Sequence, residues 1–500
     1  MRNLLFTLIF TLVLVIPDFI ANIFWKDFYL INEKTTLKEI IIILIISGVL
    51  SFLPKKSKIF FSFIFLLFTF GSIGYYFYFH TYLQPAQLFL LFSEYKDILL
   101  ALKDMVFIIL LFVFVIFLII YLTSKIKTKT YKYSYLLFVF LLVVFPFFVA
   151  KKPFNYIPKA THFSFFNSLY GVDLFLVNLF KTTDNQKFKP YKTVKSEPTK
   201  QTIIVIMGES LNYKRMHLFR WDLNNTPYLD KLKEDADFIY KPAISGGVNT
   251  PVSLVTFFNI KREPTNVDLL VSQKFNLLNL AKQNGYKTYW LSMQEEGGSI
   301  LNIMNFADIK KQKKDYPVKF DDYLINDLKK IDFSKKNFIV LHFRANHYPY
   351  EKYTPKKFYK WNFNYEDIHK SRYYAYMDSV LYVDYLLGEI INYMKNNHKN
   401  FSIYFTSDHG EMLGFKDEKG KYGHSQLTIE DALVPFIYYS DNPLKLDKKI
   451  YNHYLIGKVI ASEIGYKIMN PNENGEFFIN NVRIDGSFGF IKYNLKDIHE

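Results

Sequence analysis

Residues 202–210 read TIIVIMGES, and residues 401–411 read FSIYFTSDHGE. Each begins as a short, continuous apolar run rich in β-branched and aromatic residues. Each then stops abruptly in glycine, hydroxyl and carboxylate groups. Runs of this kind predict strands buried on both faces, the form taken by a mainly parallel sheet covered by helices. With Thr202–Met207 and Phe401–Thr406, the runs Lys287–Ser292, Asn337–Phe343 and Val434–Tyr439 complete a set of strand candidates. Helical patterns fall between them at Pro227–Glu234, Phe275–Asn284 and Tyr373–Lys395. The alternation predicts an α/β domain over residues 201–500. In such sheets ligands bind beyond the carboxyl ends of the strands, so the residues found there are the ones to weigh.

Upstream the composition changes. Five apolar runs follow one another: Leu4–Trp25, Leu37–Leu53, Ile59–Phe79, Val106–Leu122 and Tyr133–Ala150. Each is close to the roughly 17–25 residues that a helix needs to cross a bilayer. Their succession predicts a transmembrane domain of five spans over residues 1–150 rather than buried helices of a soluble protein. The first run is not read as a cleaved signal peptide. It is too long, lacks a small-residue cleavage site and is followed by further spans. Lys55, Lys56 and Lys58 mark the second loop, and Lys125, Lys127, Lys129 and Lys132 the fourth. The positive-inside rule puts both loops in the cytoplasm and everything after Ala150 outside; Lys151 and Lys152 run against it. The third loop, His80 to Asp104, contains the helical pattern AQLFLLFSEYKDILLAL. It reads equally as an amphipathic helix in the outer interface or as a connecting helix packed on the bundle. Residues 151–200 read as a linker, with an interfacial helix in FFNSLYGVDLFLVNLF and a polar tether in TTDNQKFKPYKTVKSEPTK.

The chain has no cysteine, which excludes disulfides, thiolate ligands and a thiol nucleophile. Its net charge of +16 is spread over many lysines, such as Lys310, Lys311, Lys313 and Lys314, and reads as a solvated basic surface. There is no nucleic-acid-binding motif, and no nucleic-acid partner is expected.

Three segments carry chemistry. Gly208-Glu209-Ser210 places a carboxylate at the end of the first strand, where it suits a divalent cation, although a lone glutamate there is usually a surface or capping residue. Asp408-His409-Gly410-Glu411 supplies an oxygen and a nitrogen at the end of another strand, and by itself it also fits a capped turn. SGGVNTPVSLVTFF, residues 245–258, puts Thr250 before a proline and an apolar helical run. Threonine is a favoured N-cap and proline a favoured first helical residue, so Thr250 is expected at a helix amino terminus. It serves there either as a plain cap or as a hydroxyl nucleophile beside amides and a dipole that hold phosphate oxygens. His347 in HFRANHYPY and His424 in KYGHSQ are surface histidines, or groups that bind phosphate or protonate a leaving oxygen.

Taken in order, IIVIMGES, NNTPYLDKL, SGGVNTPVS, HFRANHYPY, FTSDHGE and YGHS resemble the bacterial phosphoethanolamine transferases of the alkaline phosphatase/sulfatase superfamily. The resemblance covers nearly the whole chain. It implies a five-helix transmembrane bundle in the bacterial inner membrane and a periplasmic, sulfatase-like α/β domain. It implies Zn2+ held by Glu209, Thr250, Asp408 and His409, with Thr250 also the nucleophile. It implies substrate contacts from His347 and His424, and from Glu94 in the membrane part. The implied donor is phosphatidylethanolamine, which releases diacylglycerol. The implied acceptor is lipid A, the lipopolysaccharide core or a periplasmic glucan. Better-known members have threonine where this chain has Ser210, and a cysteine where it has Gly246. Without that cysteine, stiffness around Thr250 is expected from packing. Gln294, Glu295 and Glu296 occupy the place of the family's lysine and asparagine contacts.

The nearest rival is a phosphoglycerol transferase of the lipoteichoic-acid-synthase type, which shares spans, fold and nucleophile. A sulfatase activity is disfavoured, because a formylglycine precursor needs Cys or Ser in a C/S-x-P-x-R context and NTPVS has no such arginine. An inactive sensor or scaffold is disfavoured by the complete ligand set.

Overall fold

The computed structural model describes residues 1–93, 103, 105–149, 158–180, 187–361 and 365–498. They divide into two compact units, Met1–Lys181 and Thr182–Glu500.

The first unit is helical. Its helices are Arg2–Phe24, Glu33–Ser51, Lys55–Phe79, Pro85–Ser93, Val106–Ser124, Ser134–Val149 and Ser164–Phe180. Phe6, Phe10 and Leu14 of the first helix pack with Ile43, Ile46 and Leu50 of the second and with Phe65 and Leu66 of the third. The apolar side chains do not stop at this core. Val106–Ser124 buries only Ile116 and Thr123, while Phe107, Leu110, Leu111, Phe114 and Phe117 face outward. A helix apolar all round, with its greasy face outside, is matched by lipid and not by water. Arg2–Phe24, Lys55–Phe79 and Val106–Ser124 are long and apolar enough to cross a membrane. The helix Glu33–Ser51 opens with Glu33, Lys34, Lys38 and Glu39 among its apolar residues. The third-loop pattern is described as a helix over Pro85–Ser93; residues 94–102, Glu94 among them, lie outside the described residues, as does Ala150.

The helix Ser164–Phe180 is tied at its start to the bundle. Asp18 Oδ1 accepts the Ser164 amide at 2.7 Å and its hydroxyl at 2.8 Å. Glu39 accepts the Phe163 amide at 3.0 Å and pairs with His162 at 2.5 Å. Two buried carboxylates thus satisfy backbone and side-chain donors at a helix start, where the first amides have no partner inside the helix.

Among the described residues the second unit carries fourteen strands. β2 (Thr202–Gly208), β3 (Phe238–Ile244), β4 (Lys287–Ser292), β5 (Ile309–Lys311), β6 (Asn337–His342), β7 (Phe401–Ser407), β10 (Leu433–Ser440) and β11 (Tyr451–Asn452) form one sheet in the order β11-β3-β10-β7-β2-β6-β4-β5. The sheet is mixed. β2, β4, β5, β6 and β7 pair in parallel, and β11 pairs in parallel with β3, while β10 is antiparallel to both of its neighbours. The five expected strands are present. The expectation missed β3, β5 and β11, and it missed the reversal at β10. β3 reads FIYKPAI, where Lys241 and Pro242 break the apolar run. The proline is tolerated because β11 pairs only with Ala243 and Ile244, leaving the rest of that edge unpaired in the sheet. The small pairs are β1 (Lys192–Lys195) with β12 (Tyr466–Met469), β8 (Met412–Leu413) with β9 (Tyr422–Gly423), and β13 (Glu476–Asn480) with β14 (Phe490–Asn494). β1 corrects the tether expected over 182–200: Lys192–Lys195 pairs into this unit, and Tyr191 and Lys200 are buried.

β2 is buried at every position, which is why its sequence shows no alternation. Ile203, Val205 and Met207 join one core with Leu254, Phe258, Leu278 and Ile460. Ile204 and Ile206 join the other, under Tyr376, Val380, Leu387 and Ile390 of the 30-residue helix Ile368–Asn397. Helices therefore cover both faces, and the open edge at the strand ends is where polar residues gather.

Candidate metal and nucleophile site

Register builds the site. Gly208 of β2 pairs with Ser407 of β7, so Glu209 and Asp408 emerge side by side, one residue past the paired ends. On the other flank Met207 pairs with His342 of β6, and Ser292 of β4 pairs with the same His342. β3 runs in the same direction and delivers the loop that leads to Thr250. Residues some 200 positions apart in sequence thus meet because parallel strands end together.

Glu209, Asp408 and His409 are buried, and their ligand atoms lie within 4.8 Å of one another. Thr250 is half-buried. Its Oγ1 donates to Asp408 Oδ2 at 2.6 Å and lies 3.5 Å from both Glu209 Oε2 and His409 Nε2. His409 Nδ1 bonds the Gly410 carbonyl at 2.9 Å, which fixes the tautomer and leaves the Nε2 lone pair facing the carboxylates. Asp408 Oδ1 accepts the amides of Ser210 at 2.9 Å and His409 at 2.8 Å, freeing Oδ2 for the cluster. Two carboxylates, an imidazole nitrogen and a hydroxyl converging in a buried space are the donor set of a divalent cation such as Zn2+. The residues present fit a metal.

Local backbone explains two residue choices. Ser210 has φ +52°, a left-handed conformation that penalises a β-branched residue more than serine. A side chain at Gly410 would come within 2.8 Å of the Leu433 carbonyl, so the turn after His409 closes only on glycine.

The cap expectation needs correction. Asn249 caps the helix Thr250–Phe258, its side chain accepting the Val252 amide at 3.2 Å, while Thr250 is the first helical residue and Pro251 the second. The threonine hydroxyl is therefore released from capping and turns into the acid cluster.

Packing and hydrogen bonds stiffen the loop without a disulfide. Thr256 fills the space at Gly246, where an added Cβ would meet its Oγ1 at 2.6 Å. Ser245 and Ser253 both bond the Asp408 carbonyl, and His453 Nε2 bonds the Ser407 carbonyl at 3.0 Å. Nothing in the sequence marks His453; it opens a helix in a different part of the chain. Burial pushes its pKa down to about 3, with the Ser407 carbonyl opposing and His409 adding. An unfolded histidine titrates near about 6.5. Below that pH the unfolded chain takes up a proton that the folded chain refuses, so this group's stabilisation is present above about pH 6.5 and is lost as pH falls. Full-length His453→Gln is expected to unfold more easily in urea at pH 7. Its stability is expected to fall less steeply on acidification, by about 1.4 kcal/mol per pH unit between about pH 6 and pH 4. Parallel slopes for the two proteins would refute the assignment.

Two of the remaining expected residues, His424 and His347, lie around the cluster. The ring of His424 lies 4.3 Å from that of His409, and its Nδ1 lies 3.0 Å from buried Glu411 Oε2. Glu411 Oε1 accepts the Tyr350 hydroxyl at 2.9 Å. Burial works against the Glu411 charge, but His424, Arg372 and Tyr350 outweigh it and hold the carboxyl below its usual range. His347 packs edge-on against Tyr353 and bonds the Tyr348 carbonyl through Nδ1. Burial and then the Arg344 guanidinium push its pKa well below the ordinary value, against the pull of Glu209. Both histidines therefore belong to the electrostatic surroundings of the cluster. Glu94 lies outside the described residues.

Three residues without an assigned role stand behind Glu209. Gln294 Nε2 donates to Glu209 Oε2 at 2.8 Å, and His342 Nδ1 meets Glu296 Oε1 at 2.6 Å. Burial opposes a charge on His342, but Glu296, with Glu209 and Asp408 further off, outweighs it and holds the pKa above its ordinary value. Two of those carboxylates belong to the cluster itself, so a cation placed there lowers the imidazole again.

Comparison with known proteins gives the family and the fold. The chain is similar to the phosphoethanolamine transferase EptC of Escherichia coli, with 25% identity over 297 residues, 53% of this chain and 51% of that protein. It is similar to EptA of Helicobacter pylori, with 25% identity over 315 residues, 58% of each chain. The chain thus spans about half the length of the curated relatives it matches. Its fold is shared with the integral membrane lipooligosaccharide phosphoethanolamine transferase A of Neisseria meningitidis, at a TM-score of 0.59 and 15% identity, covering 93% of this chain and 95% of that one. The periplasmic domain of E. coli EptC aligns at a TM-score of 0.53 and 20% identity, covering 62% of this chain and 96% of that one. The sulfatase family model matches residues 201–460, more than half of the chain and the part that holds Glu209, Thr250, Asp408 and His409; the chain belongs to the sulfatase family.

Proposed function

We propose that the protein transfers phosphoethanolamine from phosphatidylethanolamine to an envelope acceptor such as lipid A, through a covalent intermediate on Thr250. The observation that carries this is the Thr250 hydroxyl, 2.6 Å from Asp408 inside a metal-fitting cluster. The activities named for the similar EptC and EptA proteins supply the head group. The name Kdo(2)-lipid A phosphoethanolamine 7''-transferase, carried by a similar E. coli protein, supports lipid A as acceptor.

Glu209, Thr250, Asp408 and His409 hold the ion, for which we propose Zn2+. When bound, it supplies positive charge that favours the threonine alkoxide and balances phosphate oxygens. The chain's own groups do the rest. Asp408 Oδ2 accepts the Thr250 proton. Oγ1 attacks phosphorus, a new Oγ1–P bond forms, and the P–O bond to the glycerol breaks. Diacylglycerol leaves with a proton delivered by His424, while His347, kept neutral, serves as a contact for the phosphate. An acceptor hydroxyl then gives its proton back to His424 and forms a bond to phosphorus, the Oγ1–P bond breaks, and Oγ1 recovers the proton held by Asp408, which restores the threonine. The sulfatase name describes the fold family; Thr250 has no formylglycine context, so sulfate-ester hydrolysis is not proposed.

We further propose five spans in the bacterial inner membrane over 1–150, a linking segment over 151–200 whose end, with the strand Lys192–Lys195, packs into the catalytic unit, and a periplasmic catalytic domain over 201–500. The outward apolar helices and the lysine asymmetry of the loops support this. Glu94 is proposed as a substrate contact on the resemblance alone.

The test is donor choice. Full-length protein in vesicles, given phosphatidylethanolamine or phosphatidylglycerol separately, is expected to release diacylglycerol only from the first. Release from phosphatidylglycerol alone would establish the phosphoglycerol reading instead. Mass spectrometry of envelope lipids with and without the protein identifies the acceptor.

A further inference from the structure

Gln294 and Glu296 stand where the family resemblance led to head-group contacts, yet both side chains turn inward. Gln294 is 5% exposed and the Glu296 side chain 2%. Gln294 uses its whole amide. Nε2 donates to Glu209 Oε2 at 2.8 Å and to the Phe343 carbonyl at 2.8 Å, and Oε1 accepts from Arg344 at 3.0 Å. The backbone amide of Gln294 is anchored on Ser292 Oγ at 3.0 Å. Glu209 Oε1 is served by its own neighbour, the Ser210 hydroxyl, at 2.8 Å. The orientation of Oε2 therefore depends on Gln294.

Behind the amide lies His342, fully buried, with Nε2 3.0 Å from Gln294 Nε2. Two nitrogens in contact need a hydrogen on one and a lone pair on the other. Both hydrogens of the Gln294 amide nitrogen are given to Glu209 and to the Phe343 carbonyl, so a hydrogen on His342 Nε2 would meet a nitrogen with no lone pair to offer, and His342 must face it with its own lone pair. Glu296 secures this by taking the Nδ1 hydrogen at 2.6 Å, and Trp290 Nε1 holds the same carboxylate oxygen at 3.1 Å. With the other tautomer, Nε2–H would point at the amide nitrogen and favour a turned amide. Oε1 would then face Glu209, oxygen against oxygen. A buried carboxylate–imidazole pair adds little to stability compared with apolar packing. Its place at the edge of the cluster is explained by what it orients.

We propose that Gln294, set by the Glu296–His342 pair, is a positioning residue for Glu209 and so determines how tightly the cluster holds a divalent cation. The proposal rests on the metal reading of the same site. Groups that orient a metal ligand typically change affinity by about 10–100-fold when lost.

The experiment measures zinc affinity of the full-length protein by competition with a chromophoric chelator, beside thermal melting of the metal-stripped protein. Gln294→Met keeps the volume and removes the donor; it is expected to weaken zinc by about 10–100-fold with little change in metal-free melting. Glu296→Gln releases the tautomer and is expected to weaken zinc in the same direction. Should Glu296→Gln not fold, Gln294→Met decides alone. Zinc affinity within about twofold of wild type in the folded variants overturns the proposal. Wild type that takes up no zinc overturns the metal reading, and this proposal with it.

Discussion

Thr250→Ala is expected to lower turnover of the lipid donor by about 10⁴-fold or more, the scale seen when a nucleophile is removed from a site whose other parts remain. The fold should not change. Asn249, not Thr250, caps the helix, and alanine is a good residue at a first helical position. Zinc content should fall only modestly, since Glu209, Asp408 and His409 remain. A purified, folded Thr250→Ala protein that still releases diacylglycerol at the wild-type rate would remove Thr250 from the reaction. Mass spectrometry supplies the positive half of the test. Wild type quenched during turnover should carry phosphoethanolamine on the peptide containing Thr250, and the variant should not.

Removal of the metal is expected to have the second largest effect. Dialysis against a chelator should abolish turnover, and added Zn2+ should restore it. The reason is electrostatic. Glu209 and Asp408 are buried with ligand atoms that lie within 4.8 Å of one another and of His409. Without a cation, the approach of a negatively charged phosphate to these carboxylates is unfavourable in a water-poor site. The metal-stripped protein should also melt at a lower temperature, because ion binding to the folded state alone adds stability by mass action. Full activity in a preparation shown to contain no metal would refute the role.

Much of this site was legible in the chain because parallel strands leave a local signature. TIIVIMG and FSIYFTS are continuous apolar runs, and their first polar residues lie at the sheet edge by necessity. Glu209, Asp408 and His409 could therefore be placed at strand ends before any coordinates. β3 was not legible, since Lys241 and Pro242 break its run and its pairing with β10 and β11 makes it a strand. β1 was hidden in a polar stretch, KTVK, which is exposed along its length and held by β12. His453 carried no signal: a buried histidine that bonds two serines and a backbone carbonyl looks like any other histidine in sequence.

The sequence by itself determined the kinds of group available and the ends at which they emerge, because hydrophobic patterning and turn residues act over a few neighbouring positions. It determined the absence of thiols and the apolar surface of the amino-terminal helices. Which groups meet was decided only by tertiary structure. Gly208 opposite Ser407 sets Glu209 beside Asp408, and the Asn249 cap frees the Thr250 hydroxyl to reach 2.6 Å from that aspartate. The inward turn of Gln294 and Glu296 was decided in the same way, by a histidine delivered from the neighbouring strand. Register, capping and tautomer depend on partners far apart in the chain, and no local pattern encodes them.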